Sequence, residues 1–324
     1  MGSVTVPGGG GDSRYSSTAG EPESSGAQWR ERRVNRHCRL LECPVMRVLW
    51  MLMMVAVVGG CAHEQVVEPV RLSSGNVAVT PEPAAVKPYV LHLPGVSGTS
   101  IVDYTLRDGL RKGGFDGPFE IYDWTCHDPG IPALHARARN EEQARVVAEV
   151  LTKQFRAHPE QPIYLVCHSG GSGPATWALE KLPADVKVAC FVMLAPALSP
   201  TYDLSKALAR VTGAAYCFYS TRDDLVLGTG TKMFGTIDGE RVDAAGRIGF
   251  QKPAGADEKA YAKLVMEPYQ AGWARYGHVG GHIGCMGTPF VQAIVAPLML
   301  GRAAAADVLN RTVPQPLPDV LWPR

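Results

Sequence analysis

The sequence predicts an α/β protein with a mostly parallel central sheet and helices on both of its faces. Three observations lead there. The strand-like runs are short and apolar throughout instead of alternating, as strands buried on both faces are. Segments with helical apolar spacing separate them, which is the rhythm of parallel strands joined by crossover helices. Glycine-rich turns follow two of the runs, Leu93 and Cys167, where an open α/β sheet places its loops.

Tyr89–Leu93 reads as the first strand and the stretch from Val102 to Lys112 as the first helix. Phe119 to Trp124 is the next strand. From Asn140 to Ala157 the apolar residues Ala144, Val147, Ala148, Val150, Leu151 and Phe155 recur at helical spacing. Ile163–Cys167 is a strand with no polar face, and Ser172 to Leu182 is helical. Val186 to Leu194 and Ala214 to Tyr219 are two further buried strands. A helix from Pro289 to Met299 closes the domain, with Thr288 as its expected cap and Pro289 at the first helical position, where a missing N–H costs nothing.

The bulk numbers bound the function. The chain has 324 residues, 46% of them hydrophobic, enough for one core of about 200–250 residues with appendages. Its formal charge is +1, so there is no electrostatic case for a nucleic-acid partner. The 9 histidines and 8 cysteines invite a metal reading, but their spacings do not support one. His278 and His282 spell H-V-G-G-H. A zinc protease helix needs H-E-x-x-H, whereas here the glutamate is missing and two glycines break the helix. No metal and no cofactor is expected.

Five segments are expected. Residues 1–45 are Gly/Ser-rich and then basic (Arg30, Arg32, Arg33, Arg36, Arg39), and read as a disordered or spurious N-terminal extension. Residues 46–60 hold an apolar run, VLWMLMMVAVVGG. It is shorter than the ~20 residues that span a bilayer and has the length of a signal-peptide core. Met46-Arg47 makes a compact start to such a peptide; either the true start is Met46 or residues 1–45 are a long basic leader. The run ends in Val58-Gly59-Gly60-Cys61, which resembles the lipobox of bacterial lipoproteins. That resemblance implies lipidation of Cys61 as the new N-terminus, export, and a membrane anchor in the cell envelope. Residues 61–86 are polar and proline-containing, as a tether is. Residues 87–302 are expected to form the globular α/β domain and 303–324 a proline-rich tail.

The chemistry centres on Ser169, in Leu165-Val166-Cys167-His168-Ser169-Gly170-Gly171. A buried strand leads in and a helix leads out, the strand–turn–helix setting of a nucleophile elbow. Here the chain resembles the α/β-hydrolase superfamily, esterase and lipase branch, over roughly residues 87–302. The usual G-x-S-x-G is altered at one position, since Cys167 stands where the first glycine falls. The resemblance implies an oxyanion hole from the loop His92-Leu93-Pro94-Gly95-Val96-Ser97-Gly98, with the N–H of Val96 paired with that of Gly170. It also implies a chain order of serine, then acid, then histidine. Ser220-Thr221-Arg222-Asp223-Asp224-Leu225-Val226 resembles the family's acid loop, with Asp223 aligning better than Asp224. His282, between Gly281 and Ile283 and shortly before the closing helix, is the expected base in preference to His278. His168 is expected to pack or hydrogen-bond, and His92 to line the pocket.

Beyond Cys61, the cysteines Cys167, Cys190 and Cys217 fall in buried strands as small apolar residues. Cys126 with Cys285 is the one pairing considered. Between Leu194 and Ala214 there is room for a single short helix, where many relatives insert a cap, so a rather open pocket is expected. The long glycine-rich stretch Leu225 to Tyr276 is expected to form a flap. Two classes of function follow. One is a carboxylic-ester hydrolase working through an acyl-enzyme on a small-molecule or lipid ester. The other is a non-catalytic, membrane-tethered binding protein of the same fold. A thioesterase or peptidase would use the same three residues.

Overall fold

The computed structural model describes residues 86–301. The expected extension, signal peptide, Cys61 lipidation site, tether and tail all lie outside the described residues. Six strands form one sheet: β1 (Tyr89–Leu93), β2 (Phe119–Ile121), β3 (Ile163–His168), β4 (Cys190–Leu194), β5 (Ala215–Tyr219) and β6 (Leu264–Pro268), in the order β2-β1-β3-β4-β5-β6 and parallel throughout. The order reverses between β1 and β3, and this is where crevices open at the carboxyl ends of parallel strands.

The apolar runs form a parallel sheet because both faces of each strand are buried. Along β1, Leu91 and Leu93 join one core and Val90 the other. Two long helices, α2 (Arg137–Ala157) and α3 (Ser172–Lys181), cover the first face through Ala144, Val147, Leu151, Ala175, Trp177 and Leu179. The second face is covered by α1 (Ile101–Lys112), through Leu106 and Leu110, and by the closing helical stretch through Phe290, Val291, Ile294 and Val295. Among the described residues no helix is long and apolar enough to cross a membrane.

Several expected boundaries move, each for a local reason. β2 stops at Ile121 because Asp123 captures the next turn: its carboxylate accepts from Thr99 N at 2.9 Å, Thr125 N at 3.0 Å and Thr125 Oγ1 at 2.6 Å. β4 begins at Cys190, since Val188 bridges Val211 instead of β3. Thr288 does not cap the closing helix. Gly287 holds the cap position, and the Thr288 hydroxyl donates to Thr105 O of α1 at 2.9 Å. The 225–276 stretch is not simply a flap, for it contains β6, paired with β5 from Leu264 to Pro268. Its first part does fold over the carboxyl end of the sheet. Helical turns run through Leu225–Gly230 and Thr231–Phe234, His135 Nε2 donates to Phe234 O at 2.7 Å, and Ile237 N donates to Ala197 O at 3.0 Å.

Candidate active site

The site is built on the turn that follows β3. Ser169 has φ 52, a left-handed conformation that a non-glycine residue adopts at a cost of roughly 1–3 kcal/mol. The surroundings enforce it. The Ser169 carbonyl accepts from Ala197 N at 3.1 Å and from the Ser172 hydroxyl at 2.7 Å, so the strained peptide is pinned from β4's loop and from α3. The turn also requires two small neighbours. A side chain at Gly171 would fall 2.6 Å from Leu93 O, and one at Gly170 would strike Val96 Cγ1. Cys167 is accommodated because it lies within the strand, wholly buried, with its thiol directed at Val192 O at 3.6 Å.

Three residues far apart in sequence meet here. The Ser169 hydroxyl donates to His282 Nε2 at 2.9 Å, and His282 Nδ1 donates to Asp223 Oδ2 at 2.6 Å. Asp223 sits on the turn beyond β5 and is 3% exposed; its second oxygen accepts from Leu227 N at 3.3 Å. A carboxylate in that position fixes the histidine tautomer that leaves Nε2 free to take a proton. Asp224 points elsewhere, its carboxylate held by Arg247 Nη2 at 2.6 Å and largely in solvent. His278 is also excluded from the serine. It lies in an aromatic box, stacked on Trp273 at 5.8 Å with Tyr269 and Phe290 edge-on at 5.2 and 4.7 Å, and burial pushes its pKa down to about 4.

The Pro94–Gly98 loop packs directly on the elbow. A Cβ at Gly95 would lie 3.3 Å from Ser169 Cβ, and one at Gly170 would lie 3.5 Å from Val96 N. Val96 and Gly170 are therefore close neighbours beside the serine. Gly170 is in the first helical turn, where N–H groups have no intrahelical acceptor. Trp124 Nε1 donates to Pro94 O at 2.7 Å and Gly130 N to Val96 O at 2.7 Å, which fixes the loop from behind.

Three expectations are corrected by this geometry. His92 does not line the pocket: it is wholly buried, and its Nε2 donates to Asp103 Oδ1 at 2.8 Å. The reason is the start of α1, where Asp103 already accepts from Ser100 N at 2.7 Å and Ser100 Oγ at 2.9 Å and so presents its other oxygen inward. The Cys126–Cys285 bond is not formed, since Cys285 is a buried thiol directed at His282 O at 3.5 Å. The serine does not lie in an open pocket; it is 5% exposed, with Val96 against Gly170 and Ile237 against Gly173 closing its flanks. A narrow cavity of about 10 Å³ lies behind Asp223, lined by Ser220, His278, Gly281 and Cys285 among others, the volume of about one water molecule. The Asp103 carboxylate was not among the sequence-based candidates. Ser100 three residues before Asp103 was the available signal, a helix-start pattern.

No protein-family model matches the sequence, and no curated protein does. Among solved structures the chain is similar to esterase PE8, with 18% identity over 61% of this chain and 86% of that one and a TM-score of 0.34. It is similar to a cutinase-like protein from Cryptococcus sp., with 15% identity, 68% and 98% coverage and a TM-score of 0.36. It is also similar to the thioesterase domain of NocB, with 15% identity, 70% and 95% coverage and a TM-score of 0.33. These likenesses are distant, and the site is read from its own geometry. The strand order, the helices on both faces and the strand–turn–helix under Ser169 give the chain the α/β-hydrolase fold.

Proposed function

We propose that the chain is a serine hydrolase that cleaves carboxylic esters through an acyl-enzyme on Ser169. The observation that carries this reading is the unbroken line Ser169 Oγ–His282 Nε2, 2.9 Å, and His282 Nδ1–Asp223 Oδ2, 2.6 Å, on a strained elbow. In the first half-reaction Ser169 Oγ attacks the ester carbonyl carbon and its proton passes to His282 Nε2. The carbonyl oxygen becomes an oxyanion facing the N–H groups of Gly170 and Val96, and such donors contribute about 3–4 kcal/mol each to a developing charge. The imidazolium is stabilised by Asp223. Collapse breaks the bond to the alcohol oxygen, which leaves with the proton from His282. In the second half a water gives its proton to His282 and attacks the acyl carbon, and the acid is released as Ser169 regains its proton.

A series of p-nitrophenyl esters of increasing chain length tests the activity and ranks the acyl group. Parallel thioester and peptide substrates decide whether oxygen esters are preferred. Turnover of none of the three would leave the fold as a binding module.

We further propose, from the sequence alone, that the protein is exported and anchored in the bacterial cell envelope by a lipid on Cys61. The support is the apolar run of signal-peptide length ending in Val58-Gly59-Gly60-Cys61. Expressed in a bacterium, the mature chain should begin at Cys61, carry a lipid mass and partition with membranes, and Cys61→Ser should abolish all three. An exported chain with an unmodified Cys61 would refute the anchor.

A further inference from the structure

We propose that His168 is the positioning residue of the site, its ring N–H holding the backbone carbonyl of His282 so that the base keeps its place throughout the reaction. This rests on the reading of His282 as general base. His168 Nε2 lies 3.2 Å from His282 O, across 114 residues of sequence, and the two rings stand 4.8 Å apart. A carbonyl only accepts, so the Nε2 of His168 must carry the proton and its Nδ1 must be the unprotonated nitrogen. His168 is itself buried within the sheet. It is the last residue of β3, paired with Leu194 of β4, and it immediately precedes the strained Ser169. Its Nδ1 lies 3.3 Å from where a Cβ at Gly95 would be. One side chain thus touches the base and the oxyanion loop from the elbow strand itself.

The His282 backbone needs such a hold. Gly280 and Gly281 precede it and Gly284 follows, Gly280 has φ 96, and nothing stands within 4 Å of a Cβ placed on Gly281. The local backbone bonds of this turn are long at its start, Gly284 N to Gly281 O at 3.3 Å. The ring loses one of its two bonds during turnover, because the Ser169 hydroxyl ceases to donate once its oxygen is acylated. Asp223 then holds the ring, and His168 and the weaker Cys285 thiol hold the carbonyl. Burial, with the neighbouring His282, pushes the His168 pKa down to about 3. It therefore adds no positive charge beside the imidazolium that forms at His282.

Two variants separate a donor from a mere filler. In His168→Gln the amide nitrogen sits about where Nε2 was and still donates; His168→Phe keeps the ring and loses the donor. The expected result for Phe is a kcat loss of roughly 10–100-fold, the scale of small misplacements of reacting groups, with KM changed less than about twofold. Gln should restore most of that loss. A second readout needs no substrate: the far-downfield proton resonance of the His282–Asp223 hydrogen bond should shift or broaden in Phe and return in Gln. Should Phe fail to melt cooperatively, His168→Asn replaces it, because its amide reaches only the Nδ1 position. Wild-type kcat in Phe, or equal losses in Phe and Gln with an unmoved resonance, would overturn the proposal. Absence of ester turnover in the wild type would instead count against the hydrolase reading, with the resonance still testing the hold on His282.

Discussion

Two aspartate–histidine pairs lie at the carboxyl edge of the same sheet. Asp223–His282 stands beyond β5 with 2.6 Å between its atoms, and Asp103–His92 stands at β1 with 2.8 Å. In both the carboxylate is nearly sealed from solvent. They differ in the far nitrogen of the ring. In His282 it faces the Ser169 hydroxyl, whereas in His92 it is Nδ1, buried with no hydrogen-bond partner among the described residues. The first pair can pass a proton to a reacting group. The second ties the end of β1 to the start of α1, across the Pro94–Gly98 loop. Charge pairing alone therefore does not mark a catalytic histidine; the neighbour of its second nitrogen does.

The largest effects should separate the pairs by chemistry. His282→Ala and Asp223→Asn are each expected to lower kcat by roughly 10³-fold or more while leaving the thermal melt close to wild type, because they remove the base or permit its wrong tautomer. Asp103→Asn should act the other way round. It weakens a buried bond and the start of α1, with a loss of about 1–3 kcal/mol in stability and a much smaller loss in kcat. Steady-state ester kinetics beside a denaturant titration would measure both. Equal kcat losses at the two aspartates would erase the distinction.

Much of this was legible in the sequence, and the reasons for the rest are physical. β1, β3 and β5 could be read because largely apolar runs bounded by turns leave little else to be. β6 could not. Leu264-Val265-Met266 is too short a run to stand out, and Glu267 and Pro268 end it in residues that strands disfavour. Ser169, Asp223 and His282 stood out as candidates because each sits beside a recognisable local pattern: an elbow, an acid turn, a glycine pair before a helix; the structure brings the three side chains within hydrogen-bond reach. His92–Asp103 and the bond from His168 to His282 depend on which loops the fold brings together; the helix-start pattern at Ser100 and Asp103 marks the carboxylate but not its histidine partner. Glu267 is of the same kind, a carboxyl that the fold buries on an edge strand.

The smallest effect sharpens the comparison by contrast, since Glu267 is buried and has no histidine donor among its described hydrogen bonds. Burial raises its pKa from the ordinary 4.5 to about 7. Below pH 4.5 the carboxyl is protonated in folded and unfolded chain alike. Between 4.5 and about 7 the unfolded chain ionises while the folded one does not, so stability falls as pH rises through that window. Glu267→Gln should therefore match the wild type near pH 3 and exceed it by about 3 kcal/mol at pH 8. A difference that does not grow with pH would place an unseen partner on the carboxyl.

The most direct test of the central claim is a fluorophosphonate, which reacts with an activated serine hydroxyl and needs no knowledge of the substrate. Intact mass should show one adduct on the native protein, and peptide mapping should place it on Ser169. Ser169→Ala should take no label, His282→Ala should label far more slowly, and Asp103→Asn should label at nearly the wild-type rate. An adduct on another serine, or none on a natively folded protein, would contradict the assignment of Ser169 as nucleophile.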